Sequence, residues 1–222
     1  MPVYNAPLRS INEAELLRYA GLGKKTDFAP DLVAEACEEV LLLSRVRGVW
    51  REFDYDASSK TICAPSPLTL RGEKIGAHLA NCERVIVLCV TIGEEVETAI
   101  SDHFAAKNYT LPLLMDAAAT TAVEQAADGL EKAVRVEAKK RGFAMRFRFS
   151  PGYGDWPLEQ QKEVLALSGG ESIGVTLTES LMLMPRKSVT AVIGLTREQG
   201  EEKKSRCASC SKIDCFSRKT AG

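Results

Sequence analysis

The sequence predicts an α+β fold: one domain in which helices pack a twisted, mostly antiparallel sheet, with one long central helix and a helical N-terminal region. Three observations lead there. Helical periodicity comes first along the chain, and strands and helices then mix irregularly, without the β-α-β rhythm of a doubly wound sheet. An alanine-rich helical stretch at 113–140 is far longer than its neighbours. Runs at 49–55, 84–92, 143–149 and 188–195, β-branched or strictly alternating, supply the strands. The expected unit is 1–200, of which 1–47 is helical, followed by a cysteine-containing tail at 201–222.

In chain order, Ser10 and Glu13 are spaced as a capping box opening a helix to Ala20, with Gly21 as its stop. Asp31 caps a second helix that presents Val33, Cys37 and Leu41 on one face, and Gly48 ends it. Residues 49–55 form a strand that turns at Ser58 and Ser59, and Pro65 and Pro67 make 62–70 an edge or loop. The apolar run 84–92 is a buried strand closed by Gly93, and Val96, Ile100 and Phe104 mark a short amphipathic helix. Pro112 suits the first turn of the long helix, and Lys139, Lys140 and Arg141 complement its dipole before Gly142. In 143–149, Phe143, Met145, Phe147 and Phe149 alternate with residues that include Arg146 and Arg148, giving an apolar and a basic face. Pro157 opens a helix to about Leu167, Gly169 and Gly170 end it, and strands follow at 173–177 and 188–195.

Composition narrows the function classes. The 222 residues are 45% hydrophobic and 27% charged, ordinary for a soluble globular domain. A formal charge of −1 gives no electrostatic reason for a nucleic-acid or membrane partner. The first residues lack a basic start with an apolar run, and the 85–92 stretch is far short of the roughly 20 residues that span a bilayer, so a cytoplasmic chain with reduced thiols is expected. Two histidines, His78 and His103, exclude a multi-histidine metal site. Cys37, Cys63, Cys82 and Cys89 sit singly in apolar stretches and read as small core residues.

Cys207, Cys210 and Cys215 form C-x2-C-x4-C, thiols that can converge on one zinc ion or one iron–sulfur cluster but fall one ligand short of the usual four. The same stretch also reads as a polar tail that binds no metal.

Two segments concentrate chemistry. The basic face of 143–149 delivers Arg148 directly before Ser150-Pro151-Gly152-Tyr153-Gly154. A guanidinium can grip a carboxylate through two parallel N–H bonds, and the glycines let a turn's backbone approach a ligand. A surface arginine beside a tight turn would give the same spacing. Further on, Thr178, Glu179 and Ser180 gather polar groups at a strand end, with Met182 and Met184 read as core filling.

Taken together, Arg148-Phe-Ser-Pro-Gly-Tyr153, then Leu177-Thr-Glu-Ser180, then Pro185 followed by Ser188-Val189, resemble the activation domain of cobalamin-dependent methionine synthase. There the pattern runs Arg-Pro-x-Pro-Gly-Tyr, a helix, Leu-Thr-Glu-Ser, and a Pro-x-x-Ser-Val strand. The match spans 148–192, and the length and cysteine ending look like the short, free-standing members of that family. The chain departs from the pattern after the tyrosine, with Gly154-Asp155-Trp156-Pro157 where Pro-Ala-Cys-Pro is usual, and it has 195–200 where tyrosines are expected.

The resemblance implies S-adenosylmethionine (AdoMet) as ligand. Carried over, Arg148 pairs with the AdoMet carboxylate, the backbone at Ser150 and Gly152 makes close polar contacts, and Tyr153 packs on the ligand. Glu131, then Glu124, from the long helix are the candidates for the ammonium group, each also readable as an exposed helix charge, and Glu179 joins the set of binding residues. Neither histidine lies in the Asp-x-His-x-x-Gly pattern of a corrinoid module, so cobalamin is expected on a partner: a corrinoid protein or methionine synthase modules in trans, fed by an electron-donor protein.

The implied role is a reactivation subunit for methionine biosynthesis, supporting reductive methylation of cob(II)alamin, in which the reduced cobalt attacks the sulfonium methyl without a general base. A cluster at the tail could relay the electron. The alternative is a non-catalytic adaptor that docks on a corrinoid protein, with AdoMet regulatory or absent. A conventional AdoMet methyltransferase is disfavoured by the lack of a Gly-rich loop after an early strand.

Overall fold

The computed structural model describes residues 3–22 and 29–197. In chain order it places β1 (Val3–Tyr4), α1 (Glu13–Tyr19), α2 (Pro30–Leu43), β2 (Arg47–Asp56), β3 (Thr61–Cys63), β4 (Leu68–Thr69), α3 (Glu73–His78), β5 (Arg84–Thr91), α4 (Glu95–Ala105), α5 (Thr110–Lys140), β6 (Ala144–Met145), α6 (Gln161–Ser168), β7 (Thr176–Leu177), β8 (Leu183–Met184) and β9 (Ser188–Thr196). The main sheet runs β4-β3-β2-β5-β9-β6, with β1 also on β2, and β7 and β8 make a separate hairpin. Every pairing is antiparallel. The α+β class with a long central helix is therefore correct.

The apolar run of β5 has a specific cause. An antiparallel strand usually alternates because one face meets water. Here both faces are covered: Ile86, Leu88 and Val90 pack under α1, α2, α4 and α5, while Val85, Val87 and Cys89 pack under α3, α6 and a short 3₁₀ turn at Gly170–Ile173. On α5, Ala118, Ala119, Ala122, Ala126, Ala127 and Ala138 are buried, and small side chains let neighbouring helices approach closely. Burial pushes the Cys89 thiol up to about 12. Cys63, by contrast, is exposed on β3 and is not a core residue.

Several local expectations are corrected. The cap of α1 is Asn12, whose side chain accepts from the Glu15 N–H at 3.1 Å, so the box begins two residues later than Ser10. Pro30, not a capped Asp31, opens α2, and that helix ends at Leu43. Gly48 lies inside β2, where a Cβ would stand 3.1 Å from both Leu130 and Val90: it marks the close approach of α5 to the sheet. Of the strand expected at 173–177 only Thr176–Leu177 forms, since Ile173 closes a 3₁₀ turn begun at Gly170, and β1, α3 and β8 carried no sequence signal strong enough to be read.

The 143–149 segment deviates most. Only Ala144–Met145 is a regular strand, pairing Met145 with Leu195. Phe149 pairs with Val192, so four steps on this segment face three on β9: a β-bulge with one extra residue. The bulge swaps the faces. Phe143 and Met145 join the α5 core, but Phe149 packs with the opposite core and Phe147 stacks on His78, ring centroids 4.1 Å apart. Arg146 and Arg148 consequently do not share a basic face. Arg148 turns in toward α5.

Candidate functional site

Three acids of α5, Glu124, Asp128 and Glu131, are spaced to fall on one helix face, and the bulge brings Arg148 against them. Arg148 Nη2 donates to Glu124 at 2.6 Å, and Nη1 donates to Glu131 at 3.0 Å and to Asp128 in a short contact. The Arg148 side chain is 7% exposed. Burial by itself would lower its pKa, but the facing Asp128 and Glu124 carboxylates outweigh that and raise it, so the arginine stays charged. Arg135 holds the other oxygen of Glu131 at 2.9 Å. Three carboxylates against two guanidiniums leave one net negative charge. The Arg148 Nε is buried and carries no hydrogen bond.

Immediately after Arg148, the chain turns at Ser150–Gly154. The Tyr153 N–H donates to the Ser150 carbonyl at 3.2 Å, and the Gly152 N–H donates to the Trp156 carbonyl at 2.9 Å. Gly152 has φ of 85°, which disfavours any side chain. The Gly-Asp-Trp departure has its own structural use. The Asp155 carboxylate accepts from the N–H groups of Glu73 and Lys74 at 2.9 and 3.1 Å, capping α3, while Trp156 is buried and donates to Gln160 at 2.9 Å.

The Leu-Thr-Glu-Ser segment forms the β7–β8 turn. The Thr178 hydroxyl meets that of Ser180 at 2.9 Å and accepts from the Met182 N–H at 3.1 Å. Beyond it, Ser188 donates to the Pro185 carbonyl at 2.7 Å and lies 2.9 Å from the Thr91 hydroxyl, latching the start of β9 to β5.

Between the Pro-Gly-Tyr turn and this hairpin lies a cavity of about 400 Å³. Glu124, Ser150, Pro151, Tyr153, Leu158 and Gln161 line it together with Leu181, Met182, Leu183, Arg186, Ser188, Val189 and Thr190. Its size falls within the range of small-molecule sites, and its lining mixes apolar side chains with Glu124, Ser150, Gln161, Arg186, Ser188 and Thr190. Met182 is half-exposed beside it and Met184 is also exposed, so these methionines are not core filling. Tyr153 is 49% exposed, with its ring edge-on to Phe149.

Of the residues singled out in the sequence, Glu124, Ser150 and Tyr153 line the cavity. Arg148 and Glu131 stand behind Glu124 in the ion cluster, and Gly152 shapes the turn. Glu179 is on the exposed turn of the hairpin and does not line the cavity. Cys207, Cys210 and Cys215 lie outside the described residues. Among the described residues no group of three or more His, Cys, Asp or Glu is placed to hold a metal ion, and no helix is long and apolar enough to cross a membrane. Asp128 escaped the sequence reading although its spacing from Glu124 and Glu131 on an alanine-rich helix was the available signal. Arg186 escaped it as a variable position inside the Pro-x-x-Ser-Val motif.

A solved structure described as the MetH reactivation domain bound to AdoHcy matches over 90% of this chain and 80% of its own, with a TM-score of 0.61 and 15% sequence identity. This chain shares that domain's fold. A scan against protein-family models and a search of curated proteins found no match. The likeness of the folds agrees with the architecture that the motif resemblance implied. The cavity lining brings together the acid Glu124, the ring of Tyr153, Ser150 and the arginine Arg186, while the Ser188 and Thr190 hydroxyls are engaged by neighbouring side chains.

Proposed function

We propose that this chain is an AdoMet-binding reactivation module that serves a corrinoid protein or methionine synthase modules in trans. The observation that carries the reading is the acid cluster of Glu124, Asp128 and Glu131 gathered on Arg148, beside a cavity roofed by the Pro-Gly-Tyr turn. AdoMet brings an ammonium and a sulfonium, and a net negative cluster that partly lines an apolar cavity favours such a ligand over a neutral nucleoside. The fold supports the reading because a domain of the same architecture holds AdoHcy, the demethylated product.

In this reading AdoMet supplies a methyl group to a reduced corrinoid on the partner, AdoHcy leaves, and a separate donor protein provides the electron. The chain's own residues bind and orient. Glu124 takes positive charge, Tyr153 covers the ligand, and the Ser150–Gly152 backbone lies close to it. Arg148 fixes the carboxylates so that they need not reorganise when the ligand arrives. No side chain has to move a proton.

Calorimetric titration with AdoMet tests the proposal: saturable one-to-one binding, competed by AdoHcy, is expected, and absence of binding overturns it. Arg148→Ala then separates reactivation from simple docking. Methylation of an added corrinoid protein under reducing conditions should collapse in the variant. If it persists undiminished, the chain acts as an adaptor instead.

A further inference from the structure

Resting on the AdoMet reading, we propose that the ligand's carboxylate is held by Arg186, and that Arg148 is a positioning residue for the acids. The Arg148 guanidinium already faces three carboxylates, and Nε is its one donor that is both buried and without a hydrogen bond. A fourth carboxylate there would sit among three like charges around a guanidinium that, with Glu131, is largely shielded from water. The ligand's ammonium is attracted to this end of the cavity by the same charges. Its carboxylate needs a cation elsewhere.

Arg186 meets that need. It lines the same cavity as Glu124. Its Nε donates to Glu97 at 3.2 Å, and the other Glu97 oxygen accepts from the Lys187 N–H at 2.9 Å, which fixes the acid and, through it, the arginine. The Arg186 side chain is 50% exposed, and among the described residues neither terminal nitrogen has a hydrogen-bond partner. Two parallel N–H groups are thereby presented by a tethered guanidinium, the arrangement suited to a carboxylate. Lys187 cannot substitute, since its ammonium is engaged by Asp116 at 2.8 Å and Thr120 at 2.9 Å. Glu124 and Arg186 together make the cavity complementary to a zwitterionic amino-acid end.

Titration of AdoMet and of decarboxylated AdoMet into the wild type, Arg186→Gln and Arg186→Lys decides the matter. Losing a charge-assisted pair should weaken AdoMet about tenfold to a hundredfold in Arg186→Gln. Decarboxylated AdoMet should bind wild type and Arg186→Gln equally, and Arg186→Lys should recover part of the AdoMet affinity. An unchanged AdoMet affinity in Arg186→Gln, or equal losses for both ligands, overturns the assignment while the AdoMet reading stands. Loss of the discrimination between the two ligands in Arg148→Gln alone would give the carboxylate to Arg148. Failure of the wild type to bind either ligand overturns both readings.

Discussion

Arg148 illustrates how one buried side chain can organise a cluster of charges. Removing water from a guanidinium is costly, and the three acids of α5 offset that cost only while all partners remain. Deleting the cation leaves several carboxylates facing one another at the sheet surface. Arg148→Met should therefore lose about 1–3 kcal/mol of stability by urea denaturation, reduced by solvent screening at the partly exposed Glu124 and Asp128, and more than Glu124→Gln, which leaves Asp128 and Glu131 against Arg148 and Arg135. A second residue makes a pH test. His78 is half-buried, with Nε2 2.8 Å from the Phe147 carbonyl. Burial, with nearby Arg146, lowers its pKa below the usual 6.5 despite that hydrogen bond. The folded state therefore binds fewer protons than the unfolded state as pH falls from 6.5 toward the folded value, and stability drops across that window. The melting temperature of His78→Gln should decline less than that of the wild type between pH 7.5 and 5, and an identical decline would count against the account.

At the scale of elements, the segment after α5 shows how a local irregularity creates a site. Without the bulge, Arg148 would follow the parity of Arg146 and leave Glu124 and Asp128 without their cation, with only Arg135 on Glu131. The next turn has a comparable double duty, since Asp155 reaches back to cap α3, a helix of six residues whose glycine cap position, Gly72, offers no side chain. Asp155 is exposed and its carboxyl is held below the ordinary range, with desolvation outweighed by the N–H groups of Lys74 and Glu73. Asp155→Ala should accelerate amide hydrogen exchange at Glu73 and Lys74 while leaving α5 protected. Exchange unchanged at those two amides would show that the cap contributes nothing.

At the scale of the molecule, the two helical layers share one strand. β5 gives Ile86, Leu88 and Val90 to one core and Val85 and Val87 to the other, so neither core can open without loosening a strand buried on both sides. Such coupling predicts all-or-none unfolding. The tryptophans report on opposite faces: Trp50 packs against the α5 core and Trp156 lies within the α3 side. In a Trp50→Phe variant, Trp156 fluorescence and far-ultraviolet circular dichroism, to which the 31 residues of α5 make the largest single helical contribution, should give one denaturation midpoint. Two separated midpoints would mean that the layers unfold independently.

The sequence by itself determined the class of fold, the long helix, the doubly buried strand at 84–92, the last strand at 188–195 and the turn after Arg148. These follow from periodicity, alanine content and glycine–proline punctuation, which act through near neighbours in the chain. It also supplied Glu124, Ser150 and Tyr153 as residues that come together at one cavity. Tertiary structure alone decided the rest. A bulge is invisible in an alternating pattern, because alternation of Phe and Arg predicts an unbroken strand until the partner's register is known. Asp128 and Arg186 come to the ion cluster and the cavity only when α5, the bulged segment and the β8–β9 link converge. The charge of a site belongs to such convergence: the sequence contains the acids and arginines, but which of them neutralise one another, and which remain for a ligand, is set by packing between distant segments.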